Sequence, residues 1–139
     1  MAGYSGTPLV QKLGIKAGAT VTLIGPPANY RKLLGKIPAG VKFSKKASHG
    51  MEFGHLFTKS RSDLDAILKE LRGKIADSGT LWISWPKKSS GVATDITEDV
   101  IRAVALPRGF VDVKVCAVDE TWSGLKLMIR RGNRKSKTK

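Results

Sequence analysis

The stretch Gly79-Thr-Leu-Trp-Ile-Ser-Trp-Pro-Lys-Lys-Ser-Ser-Gly91 constrains the fold most, because an apolar run stops at Pro86 and gives way to a polar, lysine-bearing loop. A short continuous apolar run of this kind reads as a strand buried on both faces, which points to a sheet covered by helices. In open sheets of that type ligands settle outside the carboxyl ends of the strands, so the loop opened by Pro86 is a candidate binding loop.

The rest of the chain alternates in the same way. Thr7-Pro8 before Leu9, Val10 and Leu13, closed by Gly14, predicts a short helix with Pro8 at its first position. Val21 to Ile24 is a strand, residues 29–34 a short helix stopped by Gly35, Val41 to Phe43 a short edge strand, and Phe53 to Thr58 a third strand. Ser60 to Ala76 carries the apolar stripe Leu64, Ile67, Leu68, Leu71 and Ile75, with Ser62 and Asp65 as a capping-box-like start. After the strand Thr80 to Trp85, Asp95 and Glu98 suit the positive end of a helix whose buried face is Ile96, Val100, Ile101 and Val104. Val111 to Val118 and Leu125 to Ile129 form a closing hairpin around a loop from Asp119 to Gly124. The expected fold is a three-layer α/β arrangement with a mainly parallel sheet of about six strands and one antiparallel strand from the C-terminal hairpin. Exposed strand edges near Val41 or Leu125 are the places where a second copy would pair; the oligomeric state is left open.

The chain has 139 residues, enough for one core, and the reading is a single domain over 1–130 followed by a basic tail over 131–139. Its formal net charge is +14. Arg130, Arg131, Arg134, Lys135, Lys137 and Lys139 crowd the last ten residues with no apolar residue among them, which reads as a disordered segment with weak, sequence-independent affinity for polyanions. A solubilising tail and a nucleic-acid arm are the two readings of that charge. The sole cysteine, Cys116, lies in a valine-rich run and reads as packing, so a disulfide framework is excluded and a reducing cytoplasm is expected. The N-terminus lacks a signal-peptide pattern and no apolar run reaches membrane-spanning length, so no membrane partner is expected.

If the sheet is parallel, the loops after Ile24, Thr58 and Trp85 open at one edge together with the hairpin loop. The candidate ligand-binding set is therefore Tyr30, Arg31, Lys59, Arg61, Trp85, Lys87, Lys88, Ser89, Ser90, Asp119, Glu120 and Trp122. Lysines and hydroxyls suit a phosphate or carboxylate, and aromatic rings can stack on a base. The competing reading pairs Asp119 and Glu120 with the lysines as a structural salt-bridge cluster. Trp82 is read as core and His55, in mid-strand, as a hydrogen-bonded structural histidine; His49 falls in an exposed loop. No metal site is expected, since His/Cys spacing is absent, and no hydrolase elbow, Walker loop or Gly-x-Gly-x-x-Gly pattern occurs. No complete catalytic motif is present, and the balance leans away from an enzyme.

The order of elements around Gly79-Thr-Leu-Trp-Ile-Ser-Trp-Pro86 and Gly109-Phe-Val-Asp-Val-Lys-Val115 resembles the second half of a Rossmann-like S-adenosylmethionine-dependent methyltransferase. The runs Ala2-Gly-Tyr-Ser-Gly-Thr-Pro-Leu9, residues 85–99 and residues 113–126 are also similar to a bacterial family of uncharacterised proteins, domain of unknown function 3052. That resemblance implies a fold and no reaction. The first implies a cofactor site after the first strand, where close backbone approach needs glycines. Here Gly25 is followed by Pro26 and Pro27, and no acidic residue ends the second strand to hold a ribose. No cofactor is predicted, with S-adenosylmethionine or a nucleotide as the alternatives. The leading reading is a Rossmann-like protein binding a small anionic or nucleotide-like ligand at the carboxyl edge. A basic nucleic-acid-associated protein and an atypical methyltransferase-like enzyme are the alternatives.

Overall fold

A computed structural model describes residues 7–130 and Gly132. In chain order the elements are α1 (Leu9–Leu13), β1 (Thr20–Ile24), α2 (Tyr30–Leu34), β2 (Lys42–Ser44), β3 (Met51–Phe57), α3 (Arg61–Arg72), β4 (Ile75–Pro86), α4 (Glu98–Ala105), β5 (Phe110–Ala117) and β6 (Trp122–Ile129). The strands form one sheet in the order β2-β1-β3-β4-β6-β5. β1 runs parallel to β2 and β3, and β3 parallel to β4; only β6 runs antiparallel to both of its neighbours. The expected three-layer architecture with a single antiparallel strand is therefore the observed one.

Alternate residues of the central strands feed two cores. Leu81, Ile83 and Trp85 of β4 pack with Leu64, Leu68 and Leu71 of α3 and Ile101, Val104 and Ala105 of α4. Trp82, between them, turns to the opposite face and joins Leu9, Val10 and Leu13 of α1 with Tyr30 and Leu34 of α2. β4 is buried on both faces because helices cover both, and each fully buried leucine contributes about 1.5–3 kcal/mol of transfer free energy. Trp82 places its indole N–H on the Leu13 carbonyl at 2.9 Å, which satisfies the one polar group its ring carries.

Several boundaries differ from the sequence expectation, each for a local reason. Pro8 stands before α1 as its cap residue and makes no side-chain cap bond. The cap of α3 is Ser60, whose hydroxyl accepts from the Asp63 N–H at 3.3 Å, and not Ser62 with Asp65. α3 stops at Arg72, and Ile75 belongs to β4, where it pairs with Met51. A glycine follows Arg72 directly, and Ile75 meets the sheet at the helix's exit, so its apolar side chain reaches the same core by a different element. Thr97 caps α4 through the Val100 N–H at 3.2 Å; Asp95 instead accepts from the Arg61 N–H at 2.7 Å and serves the start of α3. Ala105, and not Val100, completes the buried face of α4. The hairpin loop is shorter than expected, since Trp122 already pairs with Pro86 in β6. Leu125 sits on β6, between β4 and β5, so it is no edge; β2 and β5 are the edges.

No helix among the described residues is long and apolar enough to cross a membrane. Of the basic tail, Arg130 and Gly132 fall within the described residues; Arg131, Arg134, Lys135, Lys137 and Lys139 lie outside them.

Candidate functional site

The carboxyl ends of β1, β3 and β4 and the start of β6 do meet at one edge of the sheet, as the parallel order requires. What they bring together is only part of the expected set. Tyr30, at the start of α2, is buried, and its hydroxyl lies 2.9 Å from His55 Nδ1. His55 Nε2 is 2.7 Å from the Ser84 hydroxyl. A neutral imidazole has one donor and one acceptor, so one hydroxyl donates to the ring and the other accepts from it. Burial pushes the His55 pKa down to about 3 and raises that of Tyr30, which keeps the chain Tyr30–His55–Ser84 uncharged. His55 is thus the hydrogen-bonded structural histidine that its mid-strand position suggested.

Around this chain the edge is filled with rings. His55 stacks on Phe57 at 4.3 Å between centroids, and Tyr30 and Trp122 meet Phe57 edge-on at 5.6 and 5.0 Å. Trp122 is therefore a packing residue of the aromatic group, half-buried at the rim. Arg31 leaves the edge altogether and lies over the Phe43 ring at 4.5 Å, a cation–π contact on β2.

On the α4 side of the edge the loop after β4 folds over a hollow of about 340 Å³ lined by Trp85, Pro86, Lys88, Thr94, Ile96, Thr97 and Glu98. That volume lies at the lower end of small-ligand sites. Its floor is apolar, from Trp85 and Ile96, and its cation is Lys88, whose side chain is exposed at the rim. Glu98 directs its carboxylate to Arg102 at 2.6 Å, which offsets its charge toward the hollow. The loop is held by local bonds. Ser90 Oγ donates to the Lys87 carbonyl at 2.7 Å, the Lys87 N–H donates to the Thr121 carbonyl at 2.7 Å, and Thr94 Oγ1 donates to the Lys59 carbonyl at 2.6 Å. Lys59 and Ser89 are exposed beside it.

Arg61 belongs elsewhere, to a hollow of about 750 Å³ between α3 and α4 lined also by Asp65, Asp95 and Arg108. Arg108 and Asp65 pair across it at 2.6 Å, and the Asp95 carboxylate accepts the Arg61 backbone N–H at 2.7 Å. Asp119 does not meet the lysines: its carboxylate accepts the N–H groups of Thr121 and Trp122 at 2.8 and 2.7 Å and shapes the hairpin turn. Glu120 is exposed. Among the described residues no ion pair joins Asp119 or Glu120 to Lys87 or Lys88, and no group of three or more metal-ligating side chains occurs.

The residues after β1 do not fit S-adenosylmethionine bound through a glycine-rich turn. Gly25 has φ +66°, and a Cβ there would lie 2.8 Å from the Phe57 carbonyl oxygen, so this glycine serves close packing of β1 against β3. Pro26 and Pro27 offer no N–H, and the Pro27 carbonyl is taken by the Tyr30 N–H at 3.1 Å. Beyond β2 stand Lys45 and Lys46, with no carboxylate for a ribose.

No family model matches the chain, and no curated protein does. Solved structures do. A Sulfolobus solfataricus protein assigned as a type 11 methyltransferase superposes with a TM-score of 0.61 at 13% identity, covering 90% of this chain and 91% of that one. A ribosomal protein L11 methylase from Lactobacillus delbrueckii subsp. bulgaricus superposes with a TM-score of 0.55 at 11% identity, covering 88% of this chain and 75% of that one. At such identities the likeness is one of fold. The chain has the Rossmann-like α/β fold seen in methyltransferases, with an aromatic, hydrogen-bonded filling at the turn after the first strand.

Proposed function

We propose that this protein binds a small anionic or nucleotide-like ligand at the carboxyl edge of its sheet without turning it over. The observation that carries the reading is the hollow of about 340 Å³ beside Trp85, where an apolar floor and the Lys88 ammonium are held by one loop at the place where sheets of this topology take ligands. Lys87 stands next to it on the same loop, and Ser89 adds a hydroxyl, while the Ser90 hydroxyl holds the loop. A flat ring fits the Trp85–Ile96 floor while a phosphate or carboxylate meets Lys88. The methyltransferase-like fold supports a nucleoside-containing ligand, whereas Gly25, Pro26 and Pro27 count against methyl transfer from S-adenosylmethionine. The runs 2–9, 85–99 and 113–126 support membership of the domain of unknown function 3052 family. A single domain over 1–130 with a basic tail, working in the cytoplasm, is part of the same reading.

Thermal shift tests it. Nucleotides, sugar phosphates and S-adenosylmethionine are each titrated against the full chain and against Lys87→Ala/Lys88→Ala. A ligand that binds only the folded state raises the melting temperature with concentration. A saturable shift lost in the double variant supports the site; shifts that survive it, or none from any compound, overturn the proposal.

A further inference from the structure

The face of the β5–β6 hairpin that carries Lys114 and Lys126 has a different chemistry. The two lysines are register partners on adjacent strands, and Lys126 also pairs with Trp82 of β4, which places all three on the α1 side of the sheet. Like charges directly opposite one another in an antiparallel pair are destabilising, so this arrangement works against the hairpin that holds it. Among the described residues neither lysine makes an ion pair. Asp112, the nearest acid on β5, is engaged by Arg102 on the opposite face at 2.9 Å. Desolvation first and Lys114 second lower the Lys126 pKa, the direction expected for a partly buried cation beside another. Lys12 of α1 and Lys114 both act on the thiol of Cys116, partly offsetting the rise that burial imposes on it, so three cations border one patch.

Among the described residues that patch is partly exposed. α3 and α4 cover the other face of the hairpin at Phe110, Leu125, Leu127 and Ile129 but leave Val115 46% exposed, and on this face Val111 and Met128 are half-buried and Lys114 is exposed. We propose that this face of the hairpin binds the phosphate backbone of single-stranded nucleic acid through Lys114 and Lys126, with Lys12 at its border. Cross-strand partners lie about 5 Å apart at Cβ, and flexible lysine stems let two ammonium groups meet successive phosphates. A bound polyanion offsets the repulsion between the two lysines. The formal net charge of +14 supplies long-range attraction but no location; the register supplies the location. Acidic protein is the less favoured occupant, since the patch presents two cations paired in register.

The test uses the full chain and a fluorescent 15-nucleotide single-stranded RNA, followed by anisotropy across a salt series. Lys114→Gln/Lys126→Gln is compared with Lys36→Gln/Lys69→Gln, which removes the same charge from exposed positions elsewhere. The hairpin variant should bind at least about tenfold more weakly, with a salt slope smaller by about 1.4, and the control should change by less than about twofold. Equal losses in the two variants would assign the binding to diffuse charge and overturn the proposal. Because repulsion is relieved, the hairpin variant should melt at or above the parent temperature; should it unfold, Lys114→Gln alone, at an exposed side chain, carries the same comparison. Cys116 provides a second readout. RNA should slow its alkylation, and unchanged alkylation at saturating RNA, or equal protection by polyglutamate of matched charge, would overturn the assignment.

Discussion

His55 and Ser84 stand on neighbouring parallel strands with Nε2 and Oγ 2.7 Å apart, and this bond, continued to Tyr30 at 2.9 Å, ties α2 to the centre of the sheet. All three side chains are buried, and among the described residues their polar atoms satisfy one another.

The pH dependence of stability follows from His55. Its folded pKa lies near 3, below the ordinary 6.5, so the unfolded chain takes up a proton that the folded one refuses. The stability associated with the neutral ring is full above pH 6.5 and is lost as pH falls toward 3, by roughly 1.4 kcal/mol per pH unit for one proton. Urea denaturation between pH 7.5 and 4 should show this slope in the parent and a slope smaller by one proton in His55→Gln; equal slopes would remove His55 as the cause.

Deleting either hydroxyl leaves a buried nitrogen unpaired. Tyr30→Phe and Ser84→Ala should each cost about 1–3 kcal/mol by chemical denaturation. Because both act on one ring, their double variant should depart from additivity by at least about 0.5 kcal/mol. Strict additivity would mean that the two bonds are independent.

Gly25→Ala combines a positive φ with a backbone contact that cannot rotate away, the Phe57 oxygen at 2.8 Å from the new Cβ. A loss of about 2–3 kcal/mol is expected in urea denaturation. Gly91→Ala, with φ +76° and open space around it, should cost only the strain, about 1 kcal/mol. Equal losses at the two positions would show that close packing at Gly25 adds nothing.

S-adenosylmethionine at millimolar concentration should leave the melting temperature of the Lys87→Ala/Lys88→Ala variant unchanged, because the turn after β1 presents prolines and a packed glycine. A saturable rise would overturn that reading of residues 25–27.

Ionic strength should act on the α4–β5 junction. Arg102 donates to Asp112, Glu98 and Asp99 at 2.9, 2.6 and 3.1 Å, and its bond to Asp112 holds that carboxyl below its usual range. Hydrogen exchange of β5 amides should quicken in Arg102→Gln, and the difference from the parent should be smaller at 1 M salt than at low salt, since the half-buried Arg102–Asp112 pair is screened in part.

Local chemistry already specified much of this architecture. Apolar runs at Thr80 to Trp85 and Val21 to Ile24, the leucine stripe of α3 and the proline and glycine stops are written in contiguous residues, so element types and the mainly parallel, three-layer order could be read directly. Trp82 as core and His55 as a bonded histidine were legible for the same reason: each sits inside a buried strand. The tertiary structure alone decided where loops lead and which distant groups meet. Nothing adjacent to His55 names Tyr30 or Ser84 as its partners, 25 and 29 residues away. Its place beside the lysine-bearing loop suggests Asp119 as a partner for lysines, yet a carboxylate two residues before the free N–H groups of a tight turn meets them at lower entropic cost. Arg31 and Arg61 follow helix faces that point them away from the loop at Pro86. The opposition of Lys114 and Lys126 depends on hairpin register, and a bulge between Asp112 and Lys114 sets that register. Periodicity determines which residues are buried, whereas pairing between segments, chosen by the packing of the whole sheet, determines which charges and rings share a surface.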